Sequence, residues 1–381
     1  MQLVQTTRDA LLKPLSTVAG IVERRHTLPI LANILMRKEG NKVAFIATDL
    51  EVQITTHADF GVGHDNESTT VAARKLLDIL KALPDTGDVR LALASNKLSV
   101  QSAKSRFALQ TLAASEFPTV AQPEQWDVSL TMPQRTLRHL FNMVHFAMAQ
   151  QDIRYYLNGM LLVFEPGRVR AVATDGHRLA HCSTEADGIS ERHEVIVPRK
   201  TVLEMQRLLE DSDEVVSIDV APGQIRFRFG DVELVSKLVE GKFPDFTRVI
   251  PTNYSRHFLV GREALQGSLQ RAAILTTDKF KGVRLQLAQN QMKISSSNAE
   301  QEEAQEEIDI DYGHEPLDVG FNVGYLLDVL ANVKVDNIQW SVMPDANASA
   351  LITLPEDDQF KYVVMPCLLY TSPSPRDVEE S

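Results

Sequence analysis

Val43-Ala44-Phe45-Ile46-Ala47-Thr48-Asp49 comes back 126 residues later as Val169-Arg170-Ala171-Val172-Ala173-Thr174-Asp175, and again, weakened, 123 residues further on as Met292-Lys293-Ile294-Ser295-Ser296-Ser297-Asn298. Each copy is a β-prone run closed by an acid or amide suited to a turn. Two more signals recur in the same order. Arg74-Lys75-Leu76-Leu77-Asp78-Ile79-Leu80 returns 125 residues later as Arg199-Lys200-Thr201-Val202-Leu203-Glu204-Met205. A third copy, Asn322-Val323-Gly324-Tyr325-Leu326-Leu327-Asp328-Val329-Leu330, keeps the apolar spacing and loses the charges. Glu116-Phe117-Pro118 is matched, 126 residues on, by Lys242-Phe243-Pro244, each closing its unit. Signals in register at one period mark an internally repeated structural unit.

Each unit opens with apolar residues three or four apart, the helical spacing. They are Leu11, Leu15, Val18 and Val22 in the first, Leu137, Leu140, Phe141, Val144 and Met148 in the second, and Leu265, Leu269 and Ala272-Ala273 in the third. Pro14 falls inside the first pattern, so that helix either starts late or kinks there. Thr131 and Pro133 are start signals for the second helix. Leu91-Ala92-Leu93, Ile225-Arg226-Phe227-Arg228-Phe229 and Asn337-Ile338-Gln339-Trp340 read as strands. Two helices among several strands per unit is an α+β pattern rather than an alternating βαβ one. The expected domains are 1–125, 126–251 and 252–366, with 367–381 left over as an unstructured tail.

The chain has 381 residues, 44% hydrophobic and 24% charged, with no apolar run near the ~18 residues a bilayer span requires. Met1 to Lys13 lacks the apolar stretch of a secretory signal, and Cys182 and Cys367 stand far apart without metal-ligand spacing. A cytoplasmic protein without a metal or other cofactor is expected. The net charge of −12 opposes tight phosphate-driven binding to nucleic acid. Any such role therefore needs a local basic surface, or a linkage that does not depend on charge.

Helix N-termini favour acids, so two equivalent helices that open on Arg74-Lys75 and Arg199-Lys200 break a local rule. For either pair alone, solvated surface charge is as good an account; the shared repeat position favours one polyanion facing both. Arg24-Arg25, Gln151, Arg154-Tyr155-Tyr156 and Lys279-Phe280-Lys281 add basic and aromatic groups that could hold phosphates or stack on bases, beside the plainer account of core aromatics and surface charge. The acidic run Glu300 to Glu307 reads first as a solvated face. Its alternative is a docking edge for Lys104 and Arg106, beside Phe107 and Leu109, in another copy. Thr174-Asp175-Gly176-His177-Arg178 is the one compact group that suggests acid–base or metal chemistry, but Asp-Gly between strand-like runs is also a hairpin signal, and the turn is favoured. Phosphate-binding, nucleophile-elbow and metalloprotease motifs are absent. An enzyme acting through Asp175 and His177, and a repeat-built scaffold that never touches DNA, are the competing functions.

Thr27-Leu28-Pro29-Ile30-Leu31, Asp152-Ile153-Arg154-Tyr155-Tyr156-Leu157-Asn158-Gly159-Met160, Ala173 to Leu179, Gly241-Lys242-Phe243-Pro244-Asp245 and Tyr362-Val363-Val364-Met365-Pro366 complete a pattern that closely resembles the bacterial β sliding clamp family, the processivity subunit of DNA polymerase III. The resemblance runs over essentially all of 1–366. It implies three clamp domains per chain, each with two helices packed on β-sheets, closing as a head-to-tail homodimer into a six-domain ring whose helices line a central hole. It implies a non-catalytic tether in DNA replication, nucleoid-associated, that slides on double-stranded DNA without reading sequence. A ring linked topologically needs only a mildly basic lining, which suits the acidic net charge.

By position, the resemblance places DNA contacts on Arg25, Arg74, Gln151, Tyr155, Tyr156, Lys200 and Lys281. It places a peptide pocket on Leu157, Thr174, Gly176, His177, Arg178, Leu179, Pro244, Arg248, Val249, Phe280, Asn322, Tyr325, Val363, Val364, Met365 and Pro366. Short linear motifs of the replicative polymerase, the clamp loader, other polymerases and repair factors would dock there. The dimer seam is implied at Lys75, Arg106, Phe107, Leu109, Ile274, Leu275, Glu300, Glu302, Glu303 and Glu306. The departure is the C-terminus: members stop soon after Val-Val-Met-Pro, whereas this chain runs on through Cys367-Leu368-Leu369-Tyr370 into the Ser/Pro-rich Thr371 to Pro375. That run does not read as native coding sequence. Leu368 or Leu369 either fills the edge of the pocket or obstructs it.

Overall fold

The computed structural model describes residues 1–23, 27–85, 87–277 and 281–367. Among them are six helices: α1 (Arg8–Ala19), α2 (Ala73–Ala82), α3 (Gln134–Asn142), α4 (Arg199–Leu208), α5 (Arg262–Ala273) and α6 (Val323–Asn332). They come in pairs, one pair per repeat, with antiparallel strands between them, so the fold is α+β.

The chain divides into two compact units. One comprises Met1–Arg138, Glu165–Gly167 and Ala186–Glu240; the other comprises His139–Phe164, Arg168–Glu185 and the chain from Gly241 onward.

In the first unit, twelve strands form one antiparallel sheet in the order Gln2–Thr7, Asp88–Ala94, Lys97–Ser102, Ser105–Leu112, Glu67–Ala72, Asn33–Glu39, Lys42–Thr48, Val52–Ala58, Val232–Lys237, Gln224–Phe229, Val215–Ala221 and Val128–Pro133. The first and second repeats are joined where Val52–Ala58 pairs with Val232–Lys237, Ser236 opposite Val52 and Val232 opposite Thr56. The second unit repeats the device: Arg178–Ala186 pairs with Asp357–Val364, Arg178 opposite Val364 and His181 opposite Lys361. The corresponding strand of the third repeat, Glu303–Asp309, ends its four-stranded sheet with one side unpaired. Ser105–Leu112, the last strand of the first repeat, pairs fully with Lys97–Ser102, but meets Glu67–Ala72 only through Thr111 and Leu112.

Local chemistry explains the elements. Thr7 caps α1, its hydroxyl accepting the Ala10 N–H at 3.3 Å. Leu11, Leu15 and Val18 are fully buried where α1 lies on Lys42–Thr48 and Val52–Ala58. The helix does not start late: it begins at Arg8 and runs through Pro14, which forgoes only the one hydrogen bond its ring nitrogen cannot donate. Val22, Val144 and Met148, assigned to helical faces by spacing, lie past the ends of α1 and α3 yet are buried. Thr131 is not a helix-start residue, whereas Pro133 stands directly before α3 as Pro198 stands directly before α4. Thr131 and Pro133 belong to the strand Val128–Pro133, and α3 starts at Gln134, whose own N–H and amide oxygen bond Glu214 and Glu210. The Glu116-Phe117-Pro118 signal is a plug, Phe117 packing with Leu35 and Ile46.

Candidate functional site

The repeated acid builds the same turn twice, and the amide of the third repeat a longer one. An Asp49 carboxylate oxygen accepts the N–H groups of Glu51 and Val52 at 2.9 and 2.7 Å; Asp175 accepts those of His177 and Arg178 at 2.9 and 3.1 Å; Asn298 accepts those of Glu300 and Glu302 at 3.1 and 3.0 Å. Side-chain acceptance of this kind is why Asp and Asn nucleate turns. Thr48 and Thr174 reinforce the first two, each hydroxyl bonding the carbonyl four residues on. The residue after the acid is left-handed in both, Leu50 at φ +78° and Gly176 at φ +91°. One Asp175 oxygen is taken by the turn and the other by the Arg178 guanidinium at 3.2 Å. The carboxylate thus has a structural occupation, and the hydrogen bond it accepts from His177 comes from the backbone N–H.

Around the second turn the side chains converge. The Arg178 guanidinium reaches Asp328 on α6 at 2.5 Å and lies 4.5 Å from the centre of the Tyr325 ring, a cation–π distance. His177 stacks near the same ring, its centre 6.4 Å from that of Tyr325 and tilted by 21°. Tyr362 donates its hydroxyl to the Tyr325 carbonyl at 2.8 Å, and Met365 donates its N–H to the His177 carbonyl at 2.9 Å. Met365 presents 43% of its surface to solvent. Asn322 caps α6 by accepting the Gly324 N–H at 2.9 Å. Together these make a wall of aromatic, thioether and cationic groups on rigid supports.

Other expected pocket residues are placed differently. Leu157, Leu179, Val363 and Val364 are buried almost completely and Thr174 nearly so, because two of them face each other across the Arg178–Ala186 and Asp357–Val364 pairing. They form a floor, not a surface. Pro244, Arg248 and Val249 are exposed on a loop held by the buried Phe246, which stacks on His181 at 5.8 Å between ring centres. Pro366 is half-buried, and the next residue, Cys367, donates its N–H to the Gly320 carbonyl at 2.9 Å. Phe280, Leu368 and Leu369 lie outside the described residues.

Sequence reading missed the residues that brace this wall. Arg154 pairs with Asp152 through its side chain at 2.8 Å and bonds the Asp175 carbonyl at 3.2 Å. The Arg154 hydrogen bonds, from side chain and then backbone, hold the Asp152 carboxyl down at about 2. Asp328 and Tyr362 stood inside quoted motifs, Asn322 to Leu330 and Tyr362 to Pro366, and Arg154 inside a basic-aromatic run, but spacing assigned none of them this role. A Cβ on Gly176 would sit 3.0 Å from an Arg154 nitrogen in a left-handed conformation. Gly176→Ala therefore folds, since Leu50 holds the equivalent place, but costs about 1 kcal/mol in urea unfolding. An unchanged unfolding midpoint would show the turn to be unconstrained.

The basic candidates are distributed over both units. In the first, α2 and α4 begin without a capping side chain or an acid in the first turn, and Arg74 and Lys75 are exposed. Lys200 differs. Its ammonium, only partly exposed, is gripped by Asp49, by Glu23 at 2.9 Å and by the Ile21 carbonyl at 3.1 Å, so it is first of all a staple between the repeats. In the second unit, Gln151 is exposed in a left-handed conformation, Tyr155 is 56% exposed with its ring edge-on to Tyr156, and Lys281 is exposed. Arg25 lies outside the described residues. Of the expected seam residues, Lys75, Arg106, Phe107, Glu300, Glu302, Glu303 and Ile274 are exposed and Leu109 and Leu275 half-buried. Glu306 is already paired with Arg271 of its own chain at 2.6 Å.

Among the described residues no cluster of His, Cys, Asp or Glu could hold a metal ion, and no helix is long and apolar enough to cross a membrane. Burial pushes the Cys182 thiol up to about 12, far from reactivity.

Three family models match the chain in succession: DNA polymerase III beta subunit, N-terminal domain, over 1–121; central domain, over 131–245; and C-terminal domain, over 247–368. The chain is similar to the beta sliding clamp of Pseudomonas putida, 47% identical over 365 residues covering 95% of this chain and 98% of that protein. It is 42% identical over 364 residues to the beta sliding clamp of Escherichia coli K12, covering 95% of this chain and 98% of that one. Among solved structures, the DNA polymerase sliding clamp of Pseudomonas aeruginosa with ligand superposes with a TM-score of 0.92 at 43% identity, covering 97% of this chain and all of that one. The same organism's clamp bound to griselimycin matches with a TM-score of 0.92 at 44% identity over 97% of this chain and 100% of that one.

Proposed function

The chain belongs to the DNA polymerase III beta subunit family, the bacterial sliding clamps, and from that premise we propose that two copies close head to tail into a ring around duplex DNA and hold the replicative polymerase there. It is a processivity factor, a non-catalytic subunit of the polymerase, so its work is attachment.

One observation carries the ring. The strand after each turn pairs with the last strand of the next repeat, twice within the chain, and the same pairing is left unmade at both ends, on Glu303–Asp309 and Ser105–Leu112. A second copy completes it in both places, a heterologous contact that closes. Charge supports the match, with Glu300, Glu302 and Glu303 on one edge and Lys104 and Arg106 on the other. Within the chain, Lys200 grips the Asp49 turn of the preceding repeat; Lys75 occupies the same helical position and meets the partner's glutamate-bearing turn. The clamp domains are then the repeats 1–125, 126–251 and 252–366, six to a ring.

Arg74 and the N-termini of α2 and α4 face the duplex in this arrangement, with Gln151, Tyr155, Tyr156 and Lys281 reaching single-stranded or frayed segments by stacking and phosphate contact. The wall of His177, Arg178, Tyr325 and Met365 suits a short peptide with apolar anchors and few polar ones. Polymerases, the clamp loader and repair factors exchange there, in the cytoplasm. Ligand-bound structures of the Pseudomonas aeruginosa relative support a binding site of this kind.

The test is retention. After loading by a bacterial clamp loader with ATP, the protein stays on nicked circular plasmid through a high-salt wash and runs off the same plasmid once linearised, because salt strips electrostatic binding from both alike. Equal loss from both overturns the ring. Repeating the assay with the chain ended after Pro366 separates an effect of the tail from a failure of the reading.

A further inference from the structure

The joint between the first two repeats is secured by more than strand pairing. The linker from Thr119 to Asp127 is fastened along its length to the strands it crosses, all within the first unit. The Val120 N–H donates to the buried Gln53 amide oxygen at 2.9 Å, and the Ala121 carbonyl accepts from Gln224 at 2.7 Å. Gln122 accepts from Arg226 at 2.9 Å and donates to Glu233 at 2.8 Å, and the Asp127 N–H donates to the Val220 carbonyl at 2.8 Å. Arg226 is the pin. Its guanidinium centre lies 4.3 Å from the middle of the Trp126 ring, and its remaining nitrogens bond Asp219 at 3.0 Å. Asp219 is buried and held in turn by Ser129 at 2.7 Å and Arg228 at 3.1 Å. A planar fork that stacks and bonds on two sides is a task arginine performs and lysine does not. Gln53 and Val232–Lys237 belong to the very strands whose pairing makes the joint.

We propose that residues 119–127 are a locked strap, with Arg226 as its positioning residue, that stiffens the joint between the first two repeats so that ring opening is confined to the seams between copies. The link after the second repeat is held instead by the buried Phe246, with Arg248 and Val249 exposed beside it. The strap itself is read from one chain; its consequence for opening rests on the ring proposed above.

Arg226→Leu removes the stack and the Gln122 bond while Asp219 keeps Arg228 and Ser129. Gln53→Leu releases the other end of the strap without touching Asp219. In both full-length variants, amide exchange followed by mass spectrometry is expected to quicken roughly ten-fold in 119–127, with Val215–Ala221 unchanged. Arg226→Lys behaves like Arg226→Leu, because it keeps charge and loses the fork. On nicked circles, the half-life of both variants falls several-fold relative to the parent. Unchanged exchange in 119–127 in either variant overturns the strap, whatever the ring does. Faster exchange with an undiminished half-life overturns its role in confining opening. A parent that is not retained on circles sinks the ring, leaving exchange to decide the strap alone.

Discussion

A chain carrying Phe107→Asp and Ile274→Asp is expected to sediment as a folded monomer at concentrations where the parent is a dimer. Ile274, just past the end of α5, leaves 75% of its surface in water in the single chain, and Phe107 leaves 38%. Ile274 stands clear of its own core and Phe107 lies at its margin, so substitution leaves the chain folded and lowers its unfolding midpoint little. In the proposed ring they lie at opposite ends of the molecule and meet at both seams. Burying a large apolar side chain is worth about 1.5–3 kcal/mol, so losing two per seam removes roughly 3 kcal/mol or more, over a hundredfold in the constant of each seam. The carboxylates add desolvation and repulsion from Glu300, Glu302 and Glu303. Retention on circular DNA disappears with the dimer. A variant that remains dimeric would place the seam elsewhere.

The second large effect is acid sensitivity from His181. Its ring is buried against Phe246, and burial first, then the positive charges of Arg170 and Lys361, push its pKa down from 6.5 to about 4. The folded chain therefore binds this proton less readily than the unfolded chain does. The stability held by the neutral ring is complete above about pH 6.5, falls as the pH drops, and is exhausted near pH 4. Across that window the loss is on the order of 3 kcal/mol. Urea unfolding of the parent and of His181→Gln from pH 7 to pH 4 measures it: the parent's stability declines more steeply by up to one proton's worth, and parallel curves would show that His181 titrates normally. Phe246 anchors the loop of Arg248 and Val249, so peptide affinity should weaken over the same range.

Much of this was legible because repetition multiplies weak signals. Val43 to Asp49 alone is any strand before a turn; found three times, it defined the period and located one strand and its turn in each repeat. The helix openings at Arg74 and Arg199 were visible because they violate a preference. What stayed hidden depends on partners distant in sequence. Lys200 looked like a free cation until Asp49 and Glu23 closed on it. Arg154 and Asp328 take their roles from contacts with the Asp175 turn and Arg178, which spacing does not encode. Thr131 misled because capping residues and strand ends share a composition. Leu157, Leu179, Val363 and Val364 were named by position, but position does not say whether a side chain forms a floor or a face.

The unpaired edge Glu303–Asp309 carries Glu303, Glu306, Glu307 and Asp309 within seven residues, while the opposite edge is introduced by Lys104 and Arg106. Two acidic edges laid together, or two basic ones, set like charges across the strands. Of the three ways to bring two chain ends together, two are thereby penalised, and both copies must run the same way around the circle. Such a ring has a front and a back. A partner bound to one face of the proposed ring would be oriented by it before it had met a nucleotide.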